Sequence, residues 1–148
     1  MKTTFLNPII IGMLIVSVHA VDIEPAHRVF LTADACGDVP KESPAESFDC
    51  HQKIYVVLEG AGLKKDKHIF EGFWINPKGK QQEYARYEFE ASKGKKRVWL
   101  WLELHPSGGK LFGAITPSYG VDIFSGRWTV RLYLDGNFLT EKVFYVSC

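Results

Sequence analysis

Seven runs of residues with a period of two recur along this chain, and helix-period patterning is nearly absent. They are HRVFLTA (27–33), KIYVVLEG (53–60), HIFEGFWIN (68–76), QEYARYEFEA (82–91), RVWLWLEL (97–104), GRWTVRLYLD (126–135) and FLTEKVFYVS (138–147). Side chains on a strand point to opposite faces in turn, so this patterning commits the chain to sheets with one buried face each. Short strands at this spacing predict an all-β fold, a seven-stranded two-sheet sandwich of immunoglobulin-like type, with a small β-barrel as the alternative. Asp135-Gly136, between the last two runs, predicts a tight hairpin turn, because both central positions of such a turn need positive φ. The run 82–91 is the most polar and reads as an edge strand. The stretch 105–126, rich in glycine, reads as a long crossover between sheets.

Residues 1–20, MKTTFLNPIIIGMLIVSVHA, are read as a signal peptide cleaved after Ala20. Lys2 precedes an apolar run, and small residues stand at the cleavage position. The run is short for a membrane span, which needs about 20 apolar residues. The expectation is a secreted or periplasmic protein with no transmembrane segment in the mature chain and a single domain over 21–148. The chain has 18 basic and 17 acidic residues, and without Lys2 the two balance. No global field then points to nucleic acid.

Export permits disulfides, and three cysteines allow three pairings. Cys36–Cys50 is favoured because it would staple the polar, proline-bearing loop CGDVPKESPAESFDC, which has no period of its own. Closing such a loop contributes about 3 kcal/mol in the chain-entropy model. Cys36–Cys148 is the rival, and the fate of Cys148 stays open.

The C-terminal stretch FSGRWTVRLYLDGNFLTEKVFYV resembles the closing hairpin of bacterial secreted immunoglobulin-like domains. The resemblance rests on Gly126, Trp128, Val130, Tyr133, Asp135, Gly136, Phe144 and Val146. It implies a fold and no activity.

Chemistry is hard to find in this sequence. His27, His51, His68 and His105 fall in no Ser/His/Asp or Cys/His signature, and Cys50-His51 are strand neighbours that point apart. HxH, HExxH and CxxC do not occur, so no metal site and no cofactor are expected. The reading is of a protein without catalysis.

Two features point to binding instead. In KRVWLWLELHP both halves of the alternation are apolar: Val98, Leu100, Leu102 and Leu104 form one row, and Trp99 and Trp101 sit on the other. With Tyr55 and Tyr133, these tryptophans are predicted to form an aromatic face. Three accounts are open: they face inward, the 105–126 connection covers them, or they meet a partner. The second feature is a basic pole, since an immunoglobulin-like topology would gather Lys64, Lys65, Lys67, Lys93, Lys95, Lys96 and Arg97 at one end. Acidic residues of the 34–49 loop would mark the other end. The expected function is protein–protein interaction or assembly at the cell envelope, with an envelope or extracellular protein or a second copy as partner. A carbohydrate-binding module acting on glycan and a periplasmic enzyme inhibitor or immunity-type protein are the alternatives.

Overall fold

The structure is a computed structural model that describes residues 26–92, 95–105 and 123–148. The expected signal peptide, Lys93 and most of the 105–126 connection lie outside these residues, so the notion that this connection covers the tryptophans lies outside them too.

Ten strands occur among the described residues, and the fold is all-β. All seven expected runs form strands within a residue or two of their predicted bounds: β1 (Ala26–Thr32), β5 (Lys53–Ala61), β6 (Lys67–Ile75), β7 (Gln81–Glu90), β8 (Lys96–Glu103), β9 (Gly126–Leu134) and β10 (Asn137–Ser147). Three short strands were not expected: β2 (Ala35–Cys36), β3 (Val39–Pro40) and β4 (Ser47–Asp49). The strands form a three-stranded sheet in the order β1-β5-β8, a five-stranded sheet in the order β4-β10-β9-β6-β7, and the small β2-β3 pair. The arrangement is therefore ten strands in three sheets rather than seven in two. The difference lies wholly in the 33–52 loop, whose strands are too short to leave a periodic signature.

One core joins the two larger sheets. Ile54, Val56 and Leu58 of β5 and Val98, Leu100 and Leu102 of β8 belong to the same buried cluster as Trp128, Val130 and Leu132 of β9 and Phe144 and Val146 of β10. In each of these strands the core takes alternate residues, and in β8 it takes the Val98-Leu100-Leu102 row rather than the tryptophans. Gly72 of β6 marks a close approach of the sheets, since a Cβ there would stand 2.9 Å from Leu100 Cδ1. β7 lies at an edge, as its polarity requires, and most of its residues are exposed. The β9–β10 hairpin closes through Asp135 (φ 53°) and Gly136 (φ 78°), both in the left-handed region that the turn demands.

The disulfide is Cys50–Cys148, not Cys36–Cys50, and Cys36 is exposed and free. The reason is the unexpected strand β4. It runs parallel to the end of β10, pairing Ser47 with Tyr145 and Asp49 with Ser147. Each cysteine follows its strand by one residue, which brings their Cα atoms to 5.2 Å. The Cys50 amide also donates to the Ser147 carbonyl at 2.9 Å. The polar loop, left without its expected staple, is tied down by ion pairs. Asp38 meets Lys53 at 3.1 Å, Asp34 meets Lys41 at 3.3 Å, and Glu42 pairs with Arg28. Three of the acidic residues expected to form a negative pole are thus neutralised locally.

Candidate functional site

The outer face of the three-stranded sheet is built from the residues between the core rows of β1, β5 and β8. Strand register arranges them in four transverse rows. Arg28, Glu59 and Arg97 form the first, Phe30, Val57 and Trp99 the second, Thr32, Tyr55 and Trp101 the third, and Lys53 with Glu103 the last. Two aromatic rows are thus bracketed by two ionic rows. The bracket is bonded across strands, with Arg97 Nε 3.3 Å from Glu59, Arg28 3.4 Å from Glu59 and Lys53 Nζ 3.6 Å from Glu103.

The cations also lean over the rings. Arg28 and Arg97 carry their guanidinium carbons 4.9 and 5.5 Å from the Phe30 centroid. Lys53 Nζ lies 5.4 Å from the Tyr55 centroid and 4.7 Å from that of Trp101. Such contacts stabilise by about 0.5–1 kcal/mol each at exposed sites. Phe30, Tyr55 and Val57 form a second, smaller buried cluster, with Ala35 and Trp99 packed against it. Burial thins toward the edge strand β8. Trp99 is half-buried, and Trp101 leaves 49% of its surface open. The inward-facing account of the tryptophans is excluded, because Val98, Leu100, Leu102 and Leu104 hold the core side.

Tyr133 does not join Tyr55, Trp99 and Trp101. It belongs to β9, on the outer face of the five-stranded sheet, where it meets an aromatic row that sequence reasoning missed. Tyr84 of β7, Phe73 of β6, Tyr133 of β9 and Phe138 of β10 run across four strands. Centroid distances are 4.9 Å for Phe73–Tyr84, 5.4 Å for Phe73–Tyr133 and 5.8 Å for Tyr133–Phe138. The signal was available in GFW and EYARY, where Phe73 and Tyr84 alternate with the core side of their strands, on which Phe70 and Trp74 are buried. The expected single aromatic face is in fact two, on different sheets.

The basic pole assembles in part. Lys65, Lys67 and Lys96 line one shallow cleft of about 540 Å3 together with Asp66, Glu90 and Ser92. Arg97 is engaged on the outer sheet face, and Lys93 lies outside the described residues. Lys95 lies close enough to Glu42 to help, after Arg28, in holding its carboxyl below the usual carboxylate range. Lys64 contributes a backbone carbonyl that His68 Nε2 approaches at 2.8 Å, while His68 Nδ1 lies 2.7 Å from Asp135 Oδ2. Both ring nitrogens thus face acceptors, which only the imidazolium satisfies. The Lys64 carbonyl first, and then Asp135, raise the His68 pKa above its ordinary value. Asp135 Oδ1 accepts from the Ile69 amide at 2.8 Å, so this pair locks the hairpin turn to β6. With both nitrogens committed, His68 is a structural clamp.

Asp49, Cys50 and His51 bring ligand-type atoms within 4.8 Å of one another. The Cys50 sulfur is bonded to Cys148, so it offers no thiolate. No helix among the described residues is long and apolar enough to cross a membrane.

No protein-family model matches the chain, and no curated protein does either. Among solved structures, it is similar to part of Pseudomonas fluorescens alkylpurine DNA glycosylase AlkC bound to DNA containing an abasic site analog. The TM-score is 0.52 at 10% identity, over 84% of this chain and 31% of that one. Part of the beta-glucosidase from Listeria innocua in complex with glucose matches with a TM-score of 0.47 at 9% identity, over 84% of this chain and 16% of that one. The chain therefore spans under a third of either protein. The first likeness speaks to the fold alone, and the second carries no argument.

Proposed function

We propose that this chain is a non-catalytic binding domain of the cell envelope or extracellular space, of immunoglobulin-like build, that engages another protein through the outer face of its three-stranded sheet. The observation that carries this reading is Trp101. This residue is 49% exposed on an edge strand, beside buried Tyr55 and beneath the Lys53 ammonium. An apolar centre within a polar rim is the anatomy of a protein contact, and half-open tryptophans are frequent anchors. The ionic rows at both ends supply that rim and can pair with charges on a partner. The Cys50–Cys148 bond supports an exported location, because oxidising compartments favour disulfides.

Sedimentation velocity of the wild type and of Trp101→Ser over a range of concentrations, with matched capture from envelope extract, tests the reading. Loss of self-association or of a captured protein in the variant is the expected result. A variant that keeps every partner of the wild type, itself included, would refute it.

A further inference from the structure

Phe73 and Tyr133, the two middle rings of the second aromatic row, line a groove that the protein-contact reading leaves unused, and Tyr84 packs on Phe73 beside it. Glu71, Phe73 and Ile75 of β6, Gln81 of β7 and Arg131 and Tyr133 of β9 surround a depression of about 500 Å3 on the outer face of the five-stranded sheet. We propose that this groove binds a neutral oligosaccharide.

Three features select that ligand. The first is the arrangement of rings. Phe73 and Tyr84 lie at 36° to each other, and Tyr133 stands almost perpendicular to Phe73 at 83°. This corner offers ring faces in two directions, and a pyranose presents a patch of C–H groups that packs on an aromatic face while its hydroxyls stay at the rim. The second is the polar set. The Tyr84 hydroxyl donates to Glu71, and Arg131 Nε donates to Glu141 Oε2 at 2.9 Å, so both planar groups are held in place before a ligand arrives. A carboxylate accepts about four hydrogen bonds and a guanidinium donates five, so each retains capacity for neighbouring hydroxyls. The hydrogen bond to Glu71 raises the Tyr84 pKa, and with its one proton given to Glu71 the hydroxyl oxygen is left to accept from a sugar hydroxyl. The third is charge. Carboxylate and guanidinium stand among the rings, Glu71 opposite Tyr133 and Arg131 opposite Phe73, and carboxylates are depleted at protein interfaces. Their opposite signs leave no field that would select an ionic ligand.

The groove also has open ends. Gly79 and Gly136 mark its two extremities, and a Cβ on either would meet nothing within 4 Å. β6 between Ile69 and Ile75 spans roughly 20 Å at about 3.3 Å per residue. An internal stretch of a linear glycan can therefore lie along β6 and leave at both turns.

The test is NMR titration of the isotope-labelled full chain with cellohexaose, chitohexaose, xylohexaose and maltohexaose at millimolar concentration. Saturable shifts at Phe73, Tyr84, Arg131 and Tyr133 with at least one sugar are expected, with Trp99 and Trp101 unmoved. Tyr84→Ala and Glu71→Gln should each weaken binding about tenfold, the scale of one aromatic or charged contact. Tyr84 is 43% exposed, so its removal should leave the fold intact, and Glu71→Gln preserves shape outright. Absence of saturable shifts at these residues with all four sugars would overturn the proposal. So would shifts confined to the Trp99 and Trp101 face, or wild-type affinity in both variants. Shifts confined to the Trp99 and Trp101 face would count against both readings, whereas the other outcomes leave protein binding at Trp101 untouched, so the two readings fail separately.

Discussion

Trp99 and Trp101 are neighbours but one on the same strand, yet they should respond very differently to removal. A tryptophan buries about 150–250 Å2 when fully enclosed. Trp101 is 49% exposed, so roughly 100 Å2 of it is covered, and at about 25 cal/mol per Å2 that burial contributes at most about 2.5 kcal/mol. The figure is an upper bound, because the unfolded chain is already partly compact and serine recovers some of the contact. Trp101→Ser should therefore cost about 1–2 kcal/mol, including the Lys53 contact. Trp99 packs against the Phe30–Tyr55–Val57 cluster, so Trp99→Ser should cost more. Trp128, fully buried with its Nε1 donating to the Phe124 carbonyl at 2.7 Å, sets the ceiling. Trp128→Ala should cost about 3–5 kcal/mol, a large fraction of a domain's usual stability. Thermal melts of the three variants, read by near-ultraviolet circular dichroism, give the order directly. If Trp101→Ser lost as much stability as Trp128→Ala, Trp101 would be a core residue and the open-face argument would fall.

Other outcomes follow from single contacts. Gly72→Ala should cost about 1–3 kcal/mol, because the new methyl meets Leu100 across the sheets, and Leu100→Ala should rescue part of it; strict additivity in the double variant would contradict the packing. His68 has a folded pKa raised above its unfolded value of about 6.5, so its contribution is complete below that pH and is lost as pH rises through the folded value. NMR titration of the ring should place its pKa above 6.5, His68→Gln should flatten the loss of stability at rising pH, and a measured value at or below 6.5 would refute the clamp. Non-reducing peptide mapping should recover Cys50 joined to Cys148 and label Cys36 as a free thiol, whereas a Cys36–Cys50 peptide would contradict the β4–β10 register. Cys148→Ser should destabilise the domain by about 4–5 kcal/mol in the chain-entropy model, given the sequence separation of 98 residues.

The long strands were legible because alternation over eight or more residues leaves little choice of face. Ile54, Val56 and Leu58 could be assigned to the core from sequence for that reason, and so could Trp128, Val130 and Leu132. The Asp135-Gly136 turn was legible because few dipeptides accept positive φ twice. Strand β4 was not, since three residues carry no period. A subtler sign was present in SFDC and YVSC, where each cysteine follows a core residue by two positions. Phe48 and Val146 are those core residues, and they sit side by side in the parallel pair. The aromatic surfaces were half legible. Alternation says that Trp99, Trp101, Tyr55 and Tyr133 leave the core rows, but sheet membership decides which of them meet, and that is set by long-range pairing. The basic pole was legible only as turn composition, because Arg97 is drawn away to Glu59 by the β5–β8 register, which long-range pairing sets.

The claim that the Trp99–Trp101 face receives another protein is tested most directly by photo-crosslinking from position 101. A benzophenone side chain placed there in the full chain, with an equivalent at exposed Tyr145 as the control, is irradiated in native cells or in purified solution. The account predicts an adduct from position 101, with another protein or with a second copy of this chain, and none of that species from position 145. Illumination that yields only intramolecular adducts at position 101, or the same adducts from both positions, would contradict it.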